Sequence, residues 1–143
     1  MLPELELQTA LYERLSSDNK LMSLLAGQGI YDYVTGETPF PYVVISEPSL
    51  VDEEVKNADV FDMSVTLHIW HNQQTSSEYG NFKPMQIKAA IYEALNYRLY
   101  LQNYEVRRVR VTQNLIFDDI DNICKHGVLT YRFTLYKKQG VTN

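Results

Sequence analysis

Hydrophobic residues recur at two different spacings along this chain, and each spacing predicts a different kind of element. Near the start, Leu7, Leu11 and Leu15 recur every four residues, which places them on one face of a helix. Asp18 is a helix-capping residue and predicts a second, short helix that ends before Gly27. The first part of the chain is therefore predicted to form two helices.

Between residues 60 and 71, apolar and polar residues alternate strictly. Alternation is typical of a strand with one face on a core and the other toward water. Residues 104–117 and 125–137 predict two more long strands. Shorter strands are predicted at residues 30–34 and 42–47, where β-branched and aromatic side chains cluster.

The strand predicted at residues 104–117 contains an irregularity. Val106 is out of phase with the apolar residues that follow it, which indicates a bulge near Arg107. The residues predicted to share one face are Val109, Val111, Leu115 and Phe117. Those predicted on the other face are Arg108, Arg110, Thr112 and Asn114.

A longer helix is predicted at residues 82–97, after a polar loop at 72–80. Its buried stripe is predicted to contain Ile87, Ile91, Ala94 and Leu95. Consecutive long strands with short connections favour antiparallel pairing. We therefore predict one α+β domain over residues 1–143, a mainly antiparallel sheet with helices packed on one face.

Composition narrows the functional classes. A hydrophobic fraction of 45% supports a real core, and a formal net charge of -5 argues against non-specific binding to a nucleic-acid backbone. The single cysteine cannot form an internal disulfide. Neither a signal peptide nor a membrane span is evident, so we expect a soluble protein made in a cytoplasm. The 11 tyrosines suit either protein interfaces or the rim of a core.

Catalytic and metal-binding patterns are weak. Cys124 and His126 are close in sequence, but a turn followed by a strand explains them equally well. His68 and His71 have odd spacing in a strand and therefore point to opposite faces, where they cannot chelate one ion. Gly27 and Gly29 lack the rest of a phosphate-binding motif. We expect no catalytic residues, no metal and no cofactor.

Charged residues supply most of the candidate site. Arg107, Arg108 and Arg110 form a basic cluster, which Arg132 is expected to join from the neighbouring strand. A subunit contact is favoured over nucleic acid because the whole chain is acidic. The cluster could also be a solvated face paired with carboxylates across strands.

An acidic segment and a tryptophan complete the candidate site. Asp52, Glu53, Glu54 and Asp59 form either a solvated loop or the lining of a pore through which DNA slides without sticking. Trp70 lies on the polar face of its strand, where it suits either an anchor for a partner or packing at a sheet edge.

Three stretches together resemble the tail terminator, or tail completion, proteins of long-tailed phages. Residues 40–45 (FPYVVI) look like that family's early strand, which often follows a proline. Residues 66–70 (TLHIW) are similar to its central strand, which tends to end in a tryptophan. Residues 126–133 (HGVLTYRF) look like its final strand. The order of elements matches over nearly the whole chain, although residues 51–59 are more acidic than expected.

The resemblance implies a structural protein without catalytic residues. Such a subunit forms a hexameric ring at the head–tail junction of the virion, after assembly in the host cytoplasm. Its expected partners are further copies of itself, the tail-tube protein and the head-completion or stopper protein. DNA is expected to pass through the ring without specific binding.

Two other functions stay open on the sequence alone. The chain could be another neck component, such as a stopper or adaptor, which predicts binding on the portal side. It could also be an unrelated nucleic-acid or ligand module that uses Arg107, Arg108 and Arg110, which predicts salt-dependent binding.

Overall fold

In the part of the chain that the structure describes, six strands form one sheet, and three of the four helices there cover one side of it. A computed structural model of the chain describes residues 3–51, 59–97 and 99–140. The helices are α1 (Glu4–Ser16), α2 (Asn19–Leu24), α3 (Gln73–Ser76) and α4 (Phe82–Ala94). The strands are β1 (Ile30–Tyr31), β2 (Tyr42–Ile45), β3 (Ser49–Leu50), β4 (Val60–Asn72), β5 (Tyr104–Asp118) and β6 (Cys124–Lys137).

The strand order across the sheet is β1-β2-β4-β6-β5. Strand β3 pairs with the same side of β4 as β2 does, beyond the end of β2. Strands β4, β5 and β6 pair in antiparallel fashion over nearly their whole lengths. The α+β prediction with a mainly antiparallel sheet is confirmed. Strand β1 departs from the antiparallel pattern, because it pairs with β2 in parallel, and it covers only Ile30–Tyr31 of the predicted stretch.

Helix α1 is built as its leucine spacing predicts. Leu7, Leu11 and Leu15 are all buried on the face that meets the sheet and the other helices. The Asp18 carboxylate accepts a hydrogen bond from the Leu21 backbone N–H at 2.8 Å and so caps α2. The Arg14 guanidinium donates to the carbonyl of Ala94, at 3.0 Å, and thereby fastens α1 to the C-terminal end of α4.

Strand β4 shows the predicted alternation without interruption. Met63, Val65, Leu67 and Ile69 lie on the covered face and are almost fully buried among the helices. We call the other side of the sheet the open face. Its β4 residues are Asp62, Ser64, Thr66, His68 and Trp70, all partly exposed.

Strand β5 contains two register shifts against β6, where the sequence predicted one. The shift between Val106 and Arg108 confirms the predicted bulge near Arg107. A second shift, between Val111 and Gln113, was not predicted, and it exchanges the two faces for the rest of the strand.

The prediction that four apolar residues of β5 share one face is therefore wrong. Val109 and Val111 pair with Phe133 and Tyr131 and pack against the core on the covered face. Leu115 and Phe117 pair with Val128 and His126, which lie on the open face. The physical reason is that one extra residue at a bulge reverses the side-chain alternation after it.

Helix α4 is shorter than predicted and the loop before it is more ordered. The helix ends at Ala94, although the predicted buried stripe, including Ile87 and Ile91, is confirmed. In the predicted polar loop, the Gln73 side chain is buried and donates to the Ile123 carbonyl at 3.1 Å. That bond ties α3 to the turn between β5 and β6.

Candidate interaction surface

One end of the open face carries a cluster of stacked rings. The Trp70 and His126 rings stack with centroids 3.9 Å apart and an angle of 11° between their planes. Phe117 meets the edge of the His126 ring at 4.6 Å. Nδ1 of His68 lies 2.8 Å from Nε2 of His126, so one ring N–H donates to the other ring's lone pair. We call these four residues the aromatic cluster.

Burial favours the neutral form of both histidines of the aromatic cluster. Burial lowers the pKa of His68. Burial also lowers the pKa of His126, with His68 and Lys88 adding to the effect and Asp119 opposing it. The hydrogen bond between the two rings needs one unprotonated nitrogen as its acceptor. Protonation of both rings would therefore break this bond.

The opposite end of the open face is basic. Arg132 bonds Asp62 with Nη2 and Oδ2 3.1 Å apart, and Asp62 also accepts from the Thr134 hydroxyl at 2.8 Å. Arg110 pairs directly across from Arg132, and Arg108 pairs across from Thr134. Arg108 and Arg110 are exposed, and no described carboxylate forms an ion pair with either.

The remaining arginine of the cluster is already engaged. The Arg107 side chain bonds Glu105, with Nε and Oε2 3.5 Å apart, and its guanidinium lies 4.0 Å from the centre of the Tyr136 ring. Arg107 is thus paired within its own strand, and Arg132 has the cross-strand carboxylate that one interpretation of the sequence proposed for a solvated face. Arg108 and Arg110 are available to another molecule.

The structure places four of the eight predicted site residues on one face of the sheet, but not all side by side. Trp70, Arg108, Arg110 and Arg132 all lie on the open face, with the tryptophan at one end and the arginines at the other. Asp59 lies at the arginine end, where its carbonyl accepts from the Lys137 backbone N–H at 2.7 Å. The predicted pore-lining residues Asp52, Glu53 and Glu54 lie outside the described residues.

A groove on the covered side runs between α4 and β5. It consists of two adjoining hollows, of about 550 and 680 Å³, that share Tyr92 and Val111. The Tyr131 side chain lines the first hollow, and its buried hydroxyl has no hydrogen-bond partner within the described ranges. Burial raises the pKa of this phenol. The groove exists because α4 packs mainly over β4 and β6 rather than over β5.

Lys88 is a buried residue of α4 that the sequence analysis missed. Its ammonium donates to Oδ1 of Asn114 at 2.6 Å and to the carbonyl of Leu115, just after the second bulge of β5. Burial lowers the pKa of Lys88. Its stem passes beside Gly127, where an added Cβ would lie 3.2 Å from the lysine Cε. A glycine inside an alternating strand was the available sign of such a close approach.

The residues considered for catalysis do not form a catalytic arrangement. Burial raises the pKa of the Cys124 thiol to about 11, with Asp121 adding to the effect, so the thiol stays protonated near neutral pH. His71 points to the covered face, as predicted, and is fully buried with Nε2 2.8 Å from the Glu78 carbonyl. Over the described residues, no three potential metal ligands converge, and no helix is long and apolar enough to span a membrane.

Comparison with known sequences gives two matches that cover nearly the whole chain. The model of the family described as Tail completion protein gp17 matches residues 9–136. The chain is also 25% identical over 130 residues to Tail completion protein gp17 of Bacillus phage SPP1, covering 90% of this chain and 91% of that protein.

Two solved structures have the same fold. A chain from the virion of a native gene transfer agent particle superposes with a TM-score of 0.76 at 20% identity, covering 91% of this chain and 94% of that one. The bacteriophage SPP1 gp17 protein superposes with a TM-score of 0.58 at 24% identity, covering 100% of this chain and 96% of that one.

Proposed function

This chain belongs to the tail completion protein gp17 family of structural phage tail proteins, and we propose that it caps the head-proximal end of the tail tube as one subunit of a ring. In this role it ends polymerisation of the tube and gives the head connector a surface to dock on. It is assembled in the host cytoplasm and remains at the head–tail junction of the virion. Its work is binding, without a chemical step.

The open face of the sheet is the observation that carries this proposal. The rings of its aromatic cluster pack against one another, yet Phe117 is 46% exposed and neighbouring Leu115 is 48% exposed. Rigid aromatic side chains beside partly exposed apolar ones are typical anchors of protein interfaces, because they bury much area at little entropic cost.

Ring formation supplies the reason for the other uncovered surfaces. A closed ring repeats one heterologous contact, so each subunit needs two different surfaces on opposite sides. The two edge strands of the sheet, β1 and β5, provide such a pair. We propose six copies, as the resemblance of the sequence to tail terminators implies.

The charge of the chain suits a ring through which DNA passes. The formal net charge of -5 gives no general attraction for a phosphate backbone. In the proposed ring Asp52, Glu53, Glu54 and Asp59 line the pore, where like charges keep DNA from sticking. The tail-tube protein contacts one side of the ring and the stopper protein the other.

Imaging of particles made without this protein tests the proposal. Deletion from the phage genome should give headless tails that are longer than normal, since nothing ends tube growth. Wild-type protein supplied in trans should restore normal length. Tails of normal length without heads would instead support a stopper or adaptor role, and would contradict termination.

The contribution of the open face can be tested in the same complementation. Phe117→Ala together with Trp70→Ala should fail to restore normal tails although the protein remains folded. Phe82→Ala serves as the matched control, because Phe82 is 71% exposed at the start of α4, away from the open face. Equal rescue by the double variant and the control would remove the aromatic cluster from the interface.

A further inference from the structure

The two edges of the sheet carry opposite charges. Between Leu21 and Leu50, which include edge strand β1, the acidic residues are Asp32, Glu37 and Glu47, and there is no lysine or arginine. The first half of edge strand β5 has the reverse balance, with three arginines against one glutamate. We call Asp32, Tyr33 and Glu37 the acidic edge, and Arg108 and Arg110 the basic edge.

The charges of the basic edge lack a partner among the described residues of the subunit. Arg110 lies directly across from Arg132, and like charges in that position repel. Asp62 neutralises Arg132 but is already shared with Thr134. Carboxylates brought by another molecule would relieve this repulsion. Strand β5 itself has 15 residues and ends the sheet. Its outer side is bridged by Tyr100 at Glu105, and no described strand pairs with it beyond that bridge, so it is open there to such a molecule.

The acidic edge has complementary properties. Asp32 and Tyr33 directly follow β1, and the Tyr33 side chain is 78% exposed. Asp32 and Glu37 are both exposed and make no ion pair with a described lysine or arginine. The Tyr33 side chain is large, exposed and flanked by carboxylates. It therefore suits an anchor in a contact that excludes water.

We propose that the acidic edge of one copy docks on the basic edge of the next copy around the ring. Asp32 and Glu37 then face Arg108 and Arg110, and Tyr33 packs over the first hollow between α4 and β5. Opposite edges of one sheet point away from each other, which is the arrangement a head-to-tail contact requires. This inference rests on the proposed ring and names the surfaces that close it.

Charge complementarity decides which edges of two neighbouring copies can meet. Contacts between two basic edges or two acidic edges place like charges together, and like charges across an interface are strongly unfavourable. The arrangement thus favours a single direction around the ring.

Two charge-reversed variants test the inference. Arg108→Glu with Arg110→Glu makes both edges acidic, and Asp32→Lys with Glu37→Lys makes both edges basic. Each is added to purified tails that lack this protein, and electron microscopy measures the fraction of tube ends that carry a ring. We expect each variant alone to need about tenfold more protein, or more, than wild type.

An equimolar mixture of the two variants should restore capping, because copies can alternate around a ring with an even number of subunits. Lys20→Glu, at an exposed site on α2, is the control for a change of charge and should cap normally. Thermal melting checks that every variant is folded. If a reversed variant is unfolded, Arg108→Gln with Arg110→Gln replaces it and should weaken capping to a lesser degree.

The outcomes separate this inference from the proposed function. If wild type caps tube ends and both reversed variants cap equally well, the edges do not meet and the inference is overturned while the ring stands. The inference is also overturned if the mixture caps as poorly as either variant alone. If wild-type protein forms no ring on tube ends, the proposed function itself fails.

Discussion

The covered and open faces of the sheet are built from alternate residues of the same strands, yet they follow different packing rules. On the covered face, Phe133 and Leu67 are buried in one continuous apolar core with the helices. On the open face, Thr66 bonds Thr130 through their hydroxyls at 3.0 Å, between the basic end and the aromatic cluster. The covered face is filled by the subunit's own helices except in the groove beside β5, whereas the open face keeps specific side chains at a water-exposed surface.

This difference teaches where stability and function lie. Burial of apolar area against the helices supplies most of the free energy of folding. The open face contributes less to that free energy, because its side chains keep much of their contact with water. Its ordered rings and its exposed arginines are better explained by a partner than by folding.

The largest expected difference in stability between the two faces is that between two phenylalanine variants, one on each face. Phe133 is 0% exposed on the covered face, and Phe117 is 46% exposed on the open face. Phe133→Ala should lower the free energy of unfolding by about 3–5 kcal/mol, because it removes a buried ring and leaves a cavity. Phe117→Ala should lower it by about 1 kcal/mol or less. Urea unfolding of both variants measures the two changes.

Equal losses of stability in the two phenylalanine variants would contradict the comparison of the faces. The account also expects the order to reverse for capping of tube ends. Phe117→Ala, once folded, should cap poorly, whereas any residual folded Phe133→Ala should cap with nearly normal affinity.

A smaller effect is expected where the covered face meets β5. Lys88→Met removes the hydrogen bonds that the ammonium donates to Asn114 and Leu115. We expect a loss of about 1–2 kcal/mol, since bonds from a charged donor are strong but the buried charge also costs desolvation. Lys20→Met is the control, because its ion pair with Glu93 is exposed and contributes little. An unchanged unfolding midpoint for Lys88→Met would show that these hydrogen bonds do not contribute to stability.

The histidines of the aromatic cluster predict a modest dependence on pH. Both His68 and His126 have a pKa lowered by burial from the usual histidine value of 6.5. The unfolded chain therefore binds more protons than the native state as the pH falls below about 6.5, and stability falls with it. We expect the Tm to decrease by a few degrees between pH 7 and pH 5.5.

His126→Phe should reduce this dependence while keeping an aromatic ring against Trp70. The melting temperature between pH 8 and pH 7, where both histidines are mostly neutral in either state, is the internal control. A decrease on acidification that is as steep in the variant as in wild type would assign the effect to other groups.

Regular patterns made much of the fold predictable. The alternation of β4 and the leucine spacing of α1 were both confirmed, because each pattern follows directly from the side-chain period of its element. The positions of Arg108, Arg110 and Arg132 on one face were also predictable, since a single cross-strand register relates them.

Features that depend on tertiary contacts were not predictable in this way. No repeating pattern in the sequence marks the second bulge of β5, after Val111. This bulge places Leu115 and Phe117 on the open face instead of the covered face. Lys88 carries a charge that normally signals a solvated position, yet it is buried because β5 offers it two acceptors. The stack of Trp70 on His126 required knowledge of which residues β4 and β6 bring side by side.

Growth of tail tubes in the presence of purified protein tests the central claim most directly. Tubes lacking this protein are mixed with it, excess tube subunits are then added, and cryo-electron microscopy records tube length and the structure of each end. The account predicts that ends carrying a ring of several copies stop growing, with the β1 edge of each copy against the β5 edge of the next. Continued growth from ends that have bound the protein, or binding of solitary copies, would contradict it.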